Sequence, residues 1–298
     1  MTLTDLDRSA VARSFDAAAA NYDDHAVLQR EVEDRLLERV PYFELEPTRI
    51  LDLGCGTGRG SAALRALFPK AQVVSLDQSQ AMLQASLRRS GPRNLADQPE
   101  SAMVRADMHG LPFAPRRFDL VFSSLTVQWS AQEPDLFREI LRVLRPGGLF
   151  LFSSLGPGTL QELRSAWASV DGAPHVNDYV DLQQLGDALV AAGFSDPVMD
   201  METIVLEYRE VLALMKDLKG IGATNAALAR RQGLTSPKTL RAVIRAYEAF
   251  RQGERYPASY EVLYGATFGP PEGQPQRVPG GEIATFSVES LRSSRRSR

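Results

Sequence analysis

Between residues 49 and 153, short runs of apolar and β-branched residues alternate with stretches whose apolar positions recur every three or four residues. The runs are too continuous for strands wetted on one face and read as a parallel sheet covered by helices on both sides. Strands are predicted at Arg49–Leu53, Gln72–Leu76, Ala102–Arg105, Phe118–Phe122 and Leu149–Ser153, with helices at Gly58–Phe68, Gln80–Arg88 and Glu133–Leu144. Arg145-Pro146-Gly147-Gly148 is expected to stop the last helix and turn the chain into the fifth strand. Ahead of the sheet, Arg8–Ala20 and Val27–Val40 read as two helices joined by Asn21–His25, an entry segment able to fold over a ligand.

Past residue 153 the alternation weakens. Helices are predicted at Gly158–Val170 and Leu182–Ala192, a long strand at Val198–Tyr208, helices at Glu210–Lys219 and Lys238–Arg251, and a last strand at Ala258–Phe268. The expected fold class is α/β: a Rossmann-like, doubly wound, mixed seven-stranded sheet with its last strand antiparallel and a helical lid inserted between strands six and seven. The chain then divides into N-terminal helices covering the site (1–45), a core (46–208 and 258–268), the lid (209–257) and a Pro/Gly-rich, basic, mobile tail (269–298) with at most one short strand near Glu282–Val288. No internal repeat is visible.

At 298 residues, 44% hydrophobic and 24% charged, the chain is long enough to bury a large core. A formal net charge of −3 gives no global attraction to nucleic acid. No N-terminal leader pattern or long apolar span stands out, so a cytoplasmic protein is expected, without membrane or nucleic-acid partners. Cys55 is the single cysteine, which excludes an intrachain disulfide, and three scattered histidines lack metal-ligand spacing, so no metal is expected.

The chemistry concentrates in Ile50-Leu51-Asp52-Leu53-Gly54-Cys55-Gly56-Thr57-Gly58, a strand, a glycine turn and a helix start. Such a turn brings a ligand close to bare backbone N–H groups. A dinucleotide fingerprint needs a third small residue where this chain has Arg59 (counting from Gly54), and Asp52 would face a diphosphate with like charge. An amino-acid-bearing nucleotide fits better, with Asp52 accepting from an ammonium and its water. Other acids follow at the next strand ends, where open α/β sheets bind ligands. Asp77, with Gln78 beside it, suits the two ribose hydroxyls of an adenosine; Asp107 suits the adenine amino group, with Met108 packed on the ring; Ser123 ends the fourth strand beside the amino-acid part.

Asp52-x-Gly54-x-Gly56-x-Gly58 resembles the first motif of the class I S-adenosylmethionine-dependent methyltransferases. Residues 125–129, 156–163, 217–224 and 255–260 narrow the likeness: together they look like the malonyl-acyl-carrier-protein O-methyltransferases of biotin synthesis, over roughly residues 10–268. The resemblance implies methyl transfer from S-adenosylmethionine to the free carboxylate of a malonyl thioester, with S-adenosylhomocysteine as the second product and malonyl-acyl carrier protein, or malonyl-coenzyme A, as partner to a monomer. A carboxylate is ionised at neutral pH, so no general base is needed. Lys219 and Arg255, in the family-specific segments, with Tyr22 and Tyr256, are the candidates for catalysis; Gln128, Trp129, Arg164, His175 and Tyr260 are the candidates for binding the substrate. An acidic carrier would meet a basic rim at Arg230, Arg231, Lys238, Arg241, Arg245 and Arg251. A small aromatic or quinone-like acceptor stays open as the alternative, as does a catalytically silent partner subunit.

Overall fold

The apolar runs become β1 (Arg49–Leu53), β2 (Gln72–Asp77), β3 (Met103–Arg105), β4 (Phe118–Ser123), β5 (Leu144–Leu155), β6 (Ser195–Tyr208) and β7 (Tyr256–Phe268), with a hairpin of β8 (Pro275–Val278) and β9 (Gly281–Ala284) beyond them. The helices are α1 (Arg8–Ala18), α2 (Tyr22–His25), α3 (Val27–Arg39), α4 (Arg59–Leu67), α5 (Gln80–Arg89), α6 (Glu133–Val143), α7 (Gln161–Ala168), α8 (Leu182–Ala192), α9 (Val211–Gly220) and α10 (Pro237–Tyr247). This computed structural model describes residues 6–90, 102–130, 133–223, 225–226, 235–273, 275–278 and 281–284.

One seven-stranded sheet runs in the order β3-β2-β1-β4-β5-β7-β6. Strands β1 to β5 pair in parallel, and β7 lies antiparallel between β5 and β6, as the sequence predicts. Neighbouring residues along a strand enter opposite cores, which is why the sequence runs are continuously apolar. Ile50, Val73, Leu120, Phe122 and Leu151 pack on one face with Val32 and Leu36 of α3 and Val243 and Tyr247 of α10. Leu51, Val74, Val121, Phe150 and Phe152 pack on the other with Phe137 and Ile140 of α6 and Leu189 of α8. The register of β6 on β7 ends with Tyr208 opposite Tyr256, so residues 209–255 leave and rejoin the sheet at adjacent positions.

Three local expectations are corrected. Arg145–Gly148 belongs to β5: Leu144 pairs with Phe118, Leu149 pairs with Leu120, and the surplus residues form a bulge. Its glycine turn is held by β7's end, with Gly147 N–H on the Gly269 carbonyl (2.9 Å) and Gly269 N–H on the Gly148 carbonyl (2.8 Å). The helix expected from Gly158 starts at Gln161, because the preceding amides serve β7: Gly156 N–H donates to Glu261 O (2.9 Å) and Leu160 N–H to Ser259 O (2.6 Å). In the tail, the short strand expected near Glu282–Val288 is replaced by the β8–β9 hairpin, with residues 285–288 outside the described residues.

Candidate active site

All three loop glycines take positive φ (Gly54 77°, Gly56 51°, Gly58 82°), and the Gly54 and Cys55 amides donate to the Leu76 carbonyl at 2.8 and 2.9 Å, hooking the turn onto β2. Their surroundings differ. A Cβ on Gly54 would lie 2.1 Å from Thr126 Oγ1 and one on Gly58 2.1 Å from Ser86 Oγ, whereas nothing lies within 4 Å of one on Gly56. Gly54 and Gly58 are therefore required by packing as well as by backbone conformation, and Gly56 by conformation alone. The Gly56 N–H donates to Asp77 Oδ2 (2.9 Å) and the Ser79 N–H to Asp77 Oδ1 (2.8 Å), so the loop aims the Asp77 carboxylate. Burial pushes the Asp77 carboxyl up, and those two N–H groups pull against it.

The entry helix α1 is tied to the same corner. Asp16 accepts from Ser79 Oγ (2.5 Å) and the Ala81 N–H (3.1 Å), while Ser79 Oγ caps α5 by accepting from the Met82 N–H (3.1 Å). Phe15 then meets Trp129 edge-on, ring centroids 5.3 Å apart. Between these elements lies a cavity of about 960 Å3, open mouth included, running from Asp77 and Met82 past Gly54 and Thr126 to Leu155 and Tyr179.

Of the predicted residues, Tyr22, Gly54, Gly56, Asp77, Gln78, Met108, Gln128 and Trp129 line this one cavity. The others lie elsewhere. Asp52 is buried beneath the loop, accepting from Ser61 Oγ (2.5 Å), and burial pushes its carboxyl up to about 7. Gly58 packs on Ser86, and Ser123 Oγ donates to the Leu53 carbonyl (2.9 Å). Asp107 turns to His109, accepting from its backbone N–H (2.9 Å) and meeting ring Nδ1 (2.7 Å), with Arg8 at 3.8 Å. Burial pushes the Asp107 carboxyl up, but His109 and Arg8 hold it below its ordinary value.

Apart from Gln128 and Trp129, the groups predicted for substrate and catalysis, Tyr22 excepted, lie outside the lining. Arg164 donates to Asp178 Oδ1 and the Asn177 carbonyl, both at 3.0 Å, and His175 meets Asp171 at 2.8 Å while stacking on Trp167 at 3.6 Å. Tyr256 donates to Glu248 Oε1 (2.5 Å). Tyr260 is buried, and Asp217 meets His25 Nδ1 at 2.8 Å. Lys219 stands exposed in the last turn of α9, and Arg255 is half-buried just before β7.

Several lining residues escaped the sequence reading: Val11 and Phe15 on α1, Gln29 on α3, Tyr179 in the loop before α8, and Ile221 and Ala223 after α9. Ile221 and Ala223 fall inside the 217–224 segment, where glycines make the docking possible. A Cβ on Gly220 would lie 2.3 Å from the His25 ring, and Gly222 (φ 73°) brings one within 2.9 Å of the Ser14 carbonyl. The 156–163 and 255–260 segments likewise grip each other: buried Glu162 accepts from both the N–H (3.1 Å) and the hydroxyl (2.5 Å) of Ser259. The segments that resemble one family thus pack elements together around the cavity rather than supplying cations to it.

Comparison with known proteins agrees with this architecture. A family profile described as a methyltransferase domain matches residues 51–152. The malonyl-acyl-carrier-protein O-methyltransferase of Laribacter hongkongensis is 49% identical over 269 residues, covering 89% of this chain and 90% of the relative. The enzyme of the same name from Halorhodospira halophila is 44% identical over 297 residues, covering 98% and 97%. Among solved structures, a Haemonchus contortus phosphoethanolamine N-methyltransferase 2 in complex with S-adenosylhomocysteine is similar with TM-score 0.51 at 22% identity over 80% of this chain and 52% of that one, a likeness of fold alone.

Proposed function

The chain belongs to the malonyl-acyl-carrier-protein O-methyltransferase family, and on that premise we propose that its cavity holds S-adenosylmethionine over β1 and β2 and a malonyl thioester over β4 and β5. The observation that carries the reading is continuity: Asp77, Gly56 and Met108 line the same cavity as Gln128, Trp129 and Ile221. One end has the carboxylate and thioether that suit an adenosine; the other is largely apolar. The chain's residues also fit a ligand in one further respect, since Gln128 Oε1 is buried on the cavity wall with no protein partner.

When bound, S-adenosylmethionine supplies a methyl on a positively charged sulfur: the carboxylate oxygen bonds to that carbon as the carbon–sulfur bond breaks, leaving a methyl ester and a neutral thioether. No proton moves, so the protein needs no base. Its task is alignment and exclusion of water. Asp77 holds the ribose hydroxyls, aimed by the Gly56 and Ser79 amides, and Met108 packs on the adenine. Helix α1 and the end of α9 close over the site, with Phe15 on Trp129 and Ile221 beside them. The stretch 209–257 acts as the lid. Lys216 and Lys219 on α9, with Lys238, Arg241 and Arg245 on one exposed face of α10, form the rim that meets an acidic carrier; Arg230 and Arg231 lie outside the described residues. The protein works in the cytoplasm. Among the described residues, no helix is long and apolar enough to cross a membrane.

Incubation with methyl-labelled S-adenosylmethionine and malonyl-acyl carrier protein, malonyl-coenzyme A or a panel of small aromatic acceptors tests this. Label in a base-labile methyl ester of the malonyl thioester is expected. Label only in an aromatic acceptor would replace the carboxylate with the alternative substrate.

A further inference from the structure

The chain leaves β4 through a turn that is held against strain. Leu125 has φ 48°, a left-handed conformation that a non-glycine residue keeps only when its surroundings impose it. The end of β5 does so: the Leu125 N–H donates to both the carbonyl (3.2 Å) and the Oγ (3.0 Å) of Ser153. One turn of 3-10 helix follows at Val127–Trp129, closed by Trp129 N–H on the Thr126 carbonyl (3.0 Å) and Ser130 N–H on the Val127 carbonyl (2.9 Å). Val127 is buried in the core, and Trp129 is packed by the Phe15 ring. Gln128, between two residues fixed in this way, lines the cavity.

Its amide is the part without a partner. Oε1 is buried with no donor within reach, and Nε2 donates to none of the described residues. With the oxygen sealed into the wall, the end of the amide shown to the cavity is the NH2, which carries two donors and accepts nothing. A buried carbonyl left unpaired is tolerated more readily than a buried N–H left unpaired, so an amide that can pair only one end keeps its nitrogen for the ligand. Such a group selects a ligand atom that only accepts. The sheet order says which: Asp77 ends β2 and the glycine loop follows β1, so Gln128, beyond β4, stands on the acceptor's side of the cofactor.

We propose that Gln128 is a specificity-determining residue for the acceptor: its Nε2–H donates to the malonyl carboxylate oxygen that does not take the methyl. The inference rests on the carboxylate acceptor proposed above. A hydrogen bond to an ionised oxygen is stronger than one between neutral groups, and a neutral donor fixes the carboxylate's direction without cancelling the charge that draws it to the sulfonium. An acyl group lacking the carboxylate leaves the N–H groups unpaired, which is how the site rejects it.

Gln128→Met keeps the length of the side chain and removes the donor. Steady-state kinetics with malonyl-acyl carrier protein at saturating S-adenosylmethionine should show kcat/KM falling about tenfold to a hundredfold, the span for losing one hydrogen bond to a charged group, mostly through KM. Gln128→Glu keeps the shape and sets a carboxylate against a carboxylate, so its kcat/KM should fall further still. Acetyl-acyl carrier protein, which offers the same carrier without the carboxylate, should compete as well against either variant as against the parent. Cofactor affinity, measured by calorimetry, should stay within about twofold in the Met variant, and the same titration reports that the protein is folded; if the Glu variant does not fold, the Met variant decides alone. A side chain that only shapes the wall would weaken acetyl and malonyl carriers alike. That result, a Glu variant no worse than the Met variant, an unchanged KM, or a loss confined to cofactor affinity would overturn the proposal. Failure of the unaltered enzyme to make any malonyl ester is a separate outcome that removes the carboxylate reading itself.

Discussion

Asp52 opens the glycine-loop motif yet lies beneath the loop, outside the lining of the cavity. It is 3% exposed, bonded to Ser61 and held among charges of its own sign from Glu33 and Asp77. Burial raises its carboxyl from 3.8 in the unfolded chain to about 7, so the folded state prefers the protonated form. The stability this contributes is complete below about pH 4 and is lost as pH climbs through 7. Asp52→Asn keeps an acceptor for Ser61 and abolishes the titration. The variant should match the parent near pH 4 and exceed it at pH 8 by up to a few kcal/mol, since each tenfold change in a protonation equilibrium is worth roughly 1.4 kcal/mol. Urea melts at the two pH values check this; equal differences at both would show that Asp52 is ionised in the native protein.

At the scale of elements, the docking of α9 on α1 depends on a glycine that no side chain can replace without strain. Gly222→Ala would force a Cβ against the Ser14 carbonyl at a left-handed φ, a cost of about 1–3 kcal/mol. A melting temperature lowered by a few degrees and several-fold weaker S-adenosylmethionine binding are expected; a melting temperature equal to the parent's would mean that this contact is loose in solution. The same level of organisation explains what the sequence made legible. Strands β1, β2, β4 and β5 were readable because both faces are buried, giving continuous apolar runs, and Asp77 and Met108 followed as the residues at or just past the strand ends. The bulge at Arg145–Gly148 and the turn before α7 were not readable, since their amides pair with β7 and the residue just past it, about a hundred residues away. Nor were Val11, Gln29 and Tyr179, which reach the cavity by helix docking and loop placement that leave no periodic signal. Arg164 and Tyr256 had the right chemistry for a carboxylate, but Asp178 and Glu248 already engage them.

For the molecule as a whole, the cavity has a rigid floor and a roof assembled from distant parts of the chain. The floor is the sheet; the roof is α1, α2 and residues 221–223. A ligand filling the space between must stabilise the roof more than the floor. Hydrogen exchange with and without S-adenosylmethionine should show slowed exchange in α1 and around 220–223 and little change in β1, β4 and β5, alongside a global gain of about 2.7 kcal/mol at a hundredfold excess over Kd. Equal slowing everywhere would mean that roof and floor open together. The pairing of Tyr208 with Tyr256 makes residues 209–255 an overgrown hairpin loop. Closing such a loop costs only about 0.6 kcal/mol more for each doubling of its length, so the sheet registers little of what is inserted there. The pairing of β6 with β7 therefore sets little limit on the length of chain between them, whereas Ile221 and Ala223, which reach back to the cavity, do constrain it.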